Sequence, residues 1–154
     1  VGVSFAKGLC YGAGKPLISV SSLELLSRLA AGGEDDICFI IPMIDARRME
    51  VYSVVCNKDG KPLYDVEAVV LSSDSYAEQL SEGKVVFTGD GSKKFRDLTG
   101  SPNAIFIDIL SDASGMVIPA LEKFKQGIFE DVAYFEPFYL KEFIAGITKR
   151  SLLR

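Results

Sequence analysis

The stretch Ile37-Cys38-Phe39-Ile40-Ile41-Pro42-Met43-Ile44-Asp45-Ala46-Arg47-Arg48-Met49-Glu50-Val51-Tyr52 sets the reading of the whole chain. A short isoleucine-rich run, bounded by charged residues and too brief for a helix, predicts a buried strand from Ile37 to Ala46. Met49 to Asn57 and Leu63 to Leu71 form two further β-rich runs. Lys58-Asp59-Gly60-Lys61 lies between those two and carries the composition of a hairpin turn.

Downstream, the pattern alternates between helices and strands. Ser73 to Ser81 predicts a helix ended by Gly83, Lys84 to Thr88 a strand, Ser92 to Leu98 a short helix ended by Gly100, and Ala104 to Ile109 a strand. Leu121 to Gln126 predicts a last helix ended by Gly127, whose start is left open by Pro119 just upstream, a residue that fits only a first turn. Three antiparallel strands followed by two crossover strands, βββαβαβα, predict an α/β fold with a mixed sheet. That order is the ribonuclease-H-like lobe of actin, hexokinase and the heat-shock ATPases. It speaks to fold and not to function.

Upstream, Gly2 to Leu9 predicts a helix entered without a capping side chain and stopped by Gly14 and Pro16. Leu17 to Val20 then predicts a short buried strand, and Leu23 to Ala31 a helix with Ser21 or Ser22 as its N-cap, closed by Gly32-Gly33. A lone strand needs sheet neighbours. Residues 1–33 are therefore expected to be a remnant of a second, similar N-terminal lobe, and 34–154 the ribonuclease-H-like lobe.

Composition narrows the function. The 154 residues carry 17 Lys and Arg against 21 Asp and Glu, a net charge of −4, and the pI is near 4.9. A chain of that balance grips polyanions poorly by itself. It contains no histidine, which removes histidine general bases, histidine metal ligands and Ser-His-Asp or Cys-His nucleophile systems. The Ser-Lys alternative for a peptidase also fails, because no Ser-x-x-Lys motif precedes a suitable helix. No apolar run approaches the roughly 20 residues of a membrane-spanning helix, no signal peptide is evident, and the expected location is the cytoplasm. Cys10, Cys38 and Cys56 form no C-x-x-C pair and are expected to be reduced core residues.

Four stretches carry a family resemblance. They are Val1-Gly2-Val3-Ser4-Phe5-Ala6-Lys7-Gly8-Leu9, then Val20-Ser21-Ser22-Leu23-Glu24, then Asp45-Ala46-Arg47-Arg48-Met49-Glu50-Val51-Tyr52, and last Pro137-Phe138-Tyr139-Leu140-Lys141. In this order and spacing they resemble the TsaB (YeaZ) family, with Lys141 where the family ending carries Arg. The family's Gly-Pro-Gly-Ser-Phe/Tyr-Thr-Gly loop would lie just upstream of the first stretch, so the chain is expected to lack the family's N-terminal segment. The resemblance implies a non-catalytic paralogue of the TsaD subunit. It pairs with TsaD, alongside a small TsaE-type ATPase, to form threonylcarbamoyladenosine in tRNA. TsaD-type catalysis rests on a histidine-held metal, for which this chain has no ligand. The implied role therefore has no catalytic residue, no metal and no cofactor, and touches tRNA only indirectly.

Each stretch also has a plainer reading. Asp45-Ala46-Arg47 stands where the superfamily places an Asp-x-Gly turn near nucleotide phosphates. Arg47 replaces the glycine, so a structural or partner-contact role is favoured, with Arg47, Arg48 and Glu50 as a solvated salt-bridge cluster. Gly89-Asp90-Gly91 resembles the adenosine-side loop of the same ATPases, or makes only a tight β-to-α turn. Asp45, Gly89, Asp90 and Gly91 thus support the alternative of an ATP-binding small-molecule kinase or ATPase. A glycoprotease-type peptidase is the third reading.

Gly2, Phe5, Ala6, Gly8, Leu9 and Gly12 lie on rows of small and apolar residues suited to close helix packing. The expected partner is the TsaD-type subunit or a second copy of the chain. Aromatics Tyr134, Phe135, Phe138, Tyr139 and Phe143 are expected in a core or lobe-closing role, and Thr148 to Arg154 as a frayed end.

Overall fold

The structure is a computed structural model describing residues 1–33 and 36–141. Phe143 and the tail 148–154 lie outside the described residues. Strand β1 (Ile37–Asp45) is the centre of a mixed sheet with β2 (Glu50–Ser53), β3 (Cys56–Asn57), β4 (Glu67–Val70), β5 (Lys84–Thr88) and β6 (Ala104–Ile107), in the order β4-β2-β1-β5-β6, with β3 also paired to β1. β1 runs antiparallel to β2 and parallel to β5, and β5 parallel to β6. This is the expected α/β, ribonuclease-H-like sheet.

Alternation along the strands divides the core between the two faces. Ile41, Met43, Val85 and Phe87 point to one side, with Val51, Leu80 and Phe95. There the rings of Tyr76, Phe87, Phe95 and Phe106 meet, Phe87 lying 4.8 Å from Phe95 and 5.4 Å from Phe106. Helices α3 (Ala77–Glu82) and α4 (Ser92–Arg96) supply Leu80 and Phe95 to that side. Ile40, Val54, Cys56 and Val86 point to the other face, where Leu23 and Ala30 of α2 (Ser22–Ala30) cover them. Ser27, fully buried on α2, donates to the Gly60 carbonyl at 2.7 Å and fastens the helix to the hairpin after β3.

Several expectations change in detail. The run Met49 to Asn57 breaks at Val54-Val55 into β2 and β3, which pair with different parts of β1, Met43–Asp45 and Phe39–Ile40. Pro42, which has no N–H to give, lies in the interval between those two registers. Leu63 to Leu71 is strand only over Glu67–Val70, because Leu63 bonds back to the Val55 carbonyl. The helix expected from Ser73 starts at Ala77, since Tyr76 adopts a left-handed φ of 59° that no helix continues through. The last helix, α5 (Val117–Gln126), starts earlier than expected and carries Pro119 as its third residue, inside the first turn, where no intrahelical N–H is missed.

At the other end, α1 (Gly2–Ala13) has no side-chain cap and stops at Gly14, as its sequence predicts. Leu17 to Val20 is not a strand. A single antiparallel bridge joins Leu17 to Glu130, and the Ser19 hydroxyl bonds the Glu130 carboxylate. The cysteines differ too: Cys56 is buried, Cys10 is half-buried and Cys38 is exposed, its sulfur near the carbonyls of Asp36 and Glu82.

Candidate functional site

The turn between β1 and β2 and the loop after β5 meet at one end of the sheet. The backbone N–H of Asp45 donates to Oδ1 of Asp90 at 3.0 Å, and that of Gly91 to the Met43 carbonyl at 3.1 Å. Asp45, Gly89, Asp90 and Gly91, separate in sequence, are therefore neighbours. Gly89 has φ +89°, and a Cβ there would sit 2.3 Å from the Met43 carbonyl oxygen; one at Gly91 would sit 2.9 Å from Val51 Cγ1. The space left by both missing side chains is occupied by β1 and β2. The Ser92 hydroxyl closes the loop on the Gly89 carbonyl at 2.7 Å.

The Asp45 carboxylate is engaged within the chain. It accepts from Lys94 Nζ at 2.8 Å and from the Arg47 N–H at 2.6 Å. The Lys94 hydrogen bond, then the Arg47 N–H, hold its pKa below the ordinary carboxylate range. Lys94 also donates to the Glu50 carbonyl at 3.2 Å. Sequence reasoning passed over this lysine. Its one signal was a cation on the helix entered directly from a Gly-Asp-Gly turn. Arg47 and Arg48 form no cluster with Glu50, whose carboxylate instead takes Lys141 at 2.5 Å. Among the described residues no group of three or more acids, cysteines or histidines is placed to hold a metal ion.

The four family-like stretches converge on one groove of about 710 Å³. Val3 and Ala6 come from the first, residues 20–24 are the whole of the second, Tyr52 belongs to the third, and residues 137–141 are the whole of the fourth. Leu17, Ile44 and Phe135 add to its apolar lining, with Glu24, Glu136, Lys123 and Lys141 among its polar points. Lys123 donates to the Ser19 carbonyl at 2.8 Å, and Lys7 of α1 to the carbonyls of Ala133 and Phe135, both at 3.0 Å. The aromatics divide here: Phe135 is half-buried, while Tyr134, Phe138 and Tyr139 are exposed.

The outer side of α1 faces away from the groove. Gly2, Phe5, Gly8, Leu9 and Gly12 are exposed, Phe5 at 67% and Leu9 at 57%, whereas Ala6 turns inward with Val3. No residue of this helix is buried.

Residues 1–147 match the family model described as TsaD: tRNA N6-adenosine threonylcarbamoyltransferase. The chain belongs to that family. Within it, the TsaB resemblance of the motifs is borne out by the tRNA threonylcarbamoyladenosine biosynthesis protein TsaB of Escherichia coli strain K12. The two are 28% identical over 152 residues, covering 94% of this chain and 65% of that protein. The chain thus spans slightly less than two thirds of that relative's length.

Two solved structures share the fold. YeaZ from Pseudomonas aeruginosa matches with a TM-score of 0.69 and 20% identity, over 90% of this chain and 66% of that one. A structure described as an uncharacterized protein with similarity to peptidase YeaZ, from Pseudomonas aeruginosa, matches with a TM-score of 0.77 and 19% identity, over 91% and 66%. The family chain described here therefore joins a shared actin-like fold to a site in which the turn aspartate is held by its own lysine. No helix among the described residues is long and apolar enough to cross a membrane.

Proposed function

We propose that this chain is a non-catalytic partner subunit in the formation of threonylcarbamoyladenosine in tRNA, acting by pairing with the catalytic TsaD-type subunit. The observation that carries the reading is α1, whose exposed side is a stripe of Phe5, Gly8, Leu9 and Gly12. Glycines at that spacing let a second helix approach closely, and covering the exposed parts of Phe5 and Leu9 stabilises a pair by roughly 1–2 kcal/mol each. The match to a threonylcarbamoyltransferase model in a chain without histidine supports a partner in place of a catalyst. A TsaE-type ATPase in the same assembly, a second copy of the chain as an alternative occupant of α1, and a cytoplasmic location belong to the same proposal.

The test is the affinity of the full-length protein for the TsaD-type subunit by calorimetry, together with threonylcarbamoyladenosine content in cells. Gly8→Arg and Leu9→Arg place bulk and an unpaired charge in the stripe. Both variants should fold normally by circular dichroism, because Gly8 and Leu9 are exposed and α1 holds no fully buried residue, yet lose pairing and modification. Folded variants that pair and modify fully would move the interface elsewhere.

The kinase or ATPase reading draws its support from the meeting of Asp45 with the Gly89-Asp90-Gly91 loop. Against it stands Lys94, whose ammonium holds the carboxylate that a metal-bound phosphate would need.

A further inference from the structure

The tip of the β1–β2 turn carries more positive charge than its surroundings neutralise. Arg47 and Arg48 are both exposed and both left-handed, with φ of 70° and 49°. Asparagine and glycine adopt such backbone more readily than arginine. The nearby carboxylates are committed elsewhere: Asp45 holds Lys94 and the Arg47 N–H, Glu50 holds Lys141, and Asp90 accepts from the backbone of Asp45. Lys93 is exposed beside Lys94 on α4, which the Asp45 ion pair ties to the base of the turn. Among the described residues Arg47, Arg48 and Lys93 enter no ion pair.

We propose that Arg47, Arg48 and Lys93 form a phosphate-contacting tip that takes the RNA backbone when the chain is assembled with its catalytic partner. The proposal rests on the partner-subunit reading and replaces the expectation that tRNA is touched only indirectly. Two adjacent guanidiniums on a turn fixed by backbone hydrogen bonds present forked donors, which suit phosphate oxygens. Elsewhere the chain's net charge of −4 works against a polyanion, so the tip is where a phosphate finds a local surplus of cations. A few contacts of this kind bind weakly and lose strength with salt. They add to the grip of a partner already holding the RNA.

The experiment measures the affinity of an in vitro transcribed tRNA for the complex of the full-length protein with the catalytic subunit, across a range of salt concentrations. It compares the wild type with the triple variant Arg47→Ala, Arg48→Ala, Lys93→Ala. The slope of log affinity against log salt should become shallower by about two to three, the share of three lost phosphate contacts. Pairing and circular dichroism should stay unchanged. Arg47→Glu with Arg48→Glu should weaken binding further.

An unchanged slope overturns the proposal. So does a folded variant that loses pairing, which would turn the tip toward an acidic protein surface. If the wild-type chain pairs but adds nothing to the tRNA affinity of the catalytic subunit, the tip fails and the partner reading stands. If it does not pair, yet binds tRNA alone at low salt with a slope that the variant reduces, the partner reading fails and the tip stands.

Discussion

The ammonium of Lys141 donates to Oε1 of Glu50 at 2.5 Å, across 91 residues of sequence. It joins the third family-like stretch to the fourth at the rim of the groove that all four line. Both side chains keep some contact with solvent, so the pair contributes about 0–1 kcal/mol. Lys141→Met should therefore leave the unfolding free energy within about 1 kcal/mol of wild type, while hydrogen exchange over residues 135–140 speeds up. A larger loss of stability would show that the pair holds the fold and not only the rim.

Magnesium and ATP should give no measurable heat of binding with this chain, and no hydrolysis. The Asp45 carboxylate is held by Lys94 and the Arg47 N–H, and Gly89 and Gly91 are crowded by β1 and β2. A micromolar affinity, about −8 kcal/mol, would reverse the order of the two readings.

The three cysteines should separate by reactivity. Burial pushes the Cys56 thiol up from its ordinary 9.0 to about 11, and thiol reagents attack the thiolate. At pH 8 a maleimide should modify the exposed Cys38 first and reach Cys56 only on unfolding. The pH dependence has a definite sign. Below pH 9 both folded and unfolded chains keep the Cys56 proton and stability is flat. Between 9 and about 11 the unfolded chain ionises first, so stability falls. Cys56→Ser should remove that part of the fall in urea titrations at pH 8 and 10; an unaltered fall would assign it to other groups.

Hydrogen exchange tests where the chain divides. A boundary after residue 33, as proposed from the sequence, predicts that α1 and α2 exchange together, faster than β5. The packing predicts otherwise, since α2 buries Leu23, Leu26, Ser27 and Ala30 while no residue of α1 is fully buried. We expect α1 to exchange quickly and α2 to be protected with the sheet. Equal rates in the two helices, both faster than in β5, would support the boundary at 33.

Much of the fold was legible where local chemistry acts alone. β5 was read to the residue because Gly83 and Gly89 bound an apolar, β-branched run, and α5 ends at Gly127 in left-handed backbone as its sequence predicts. The break at Val54-Val55 was invisible, because two valines favour strand on either side of it and only the registers of β2 and β3 on β1 separate them. Tyr76 was hidden for a similar reason. Its left-handed backbone is maintained by tertiary contacts, its hydroxyl 2.6 Å from the Ser53 hydroxyl and its ring against Phe87 and Phe95.

At the site, the motifs named Asp45, Glu50, Lys141 and the Gly-Asp-Gly turn, but neither Lys94 nor the pairing of Lys141 with Glu50. Lys94 and Lys141 lie 49 and 91 residues in sequence from the acids they meet. The meeting of Asp45 with Asp90 follows from β1 and β5 being parallel neighbours, a fact of topology that spacing does not carry.

The bonds that hold the linker after α1 have a consequence for how the protein emerges from the ribosome. Leu17 and Ser19 are fastened to Glu130, Ser19 also to Lys123, and Lys7 to the backbone of Ala133 and Phe135, across 104 to 128 residues. The sheet can close as soon as β6 has left the exit tunnel, but none of these bonds can form before residues 123 to 135 have followed. Contacts so distant in sequence form late. Until synthesis passes that point α1 lacks these bonds, and its Phe5 and Leu9 stripe is open to whichever helix reaches it first, whether that of the proposed partner, a neighbouring copy on the same polysome, or a chaperone.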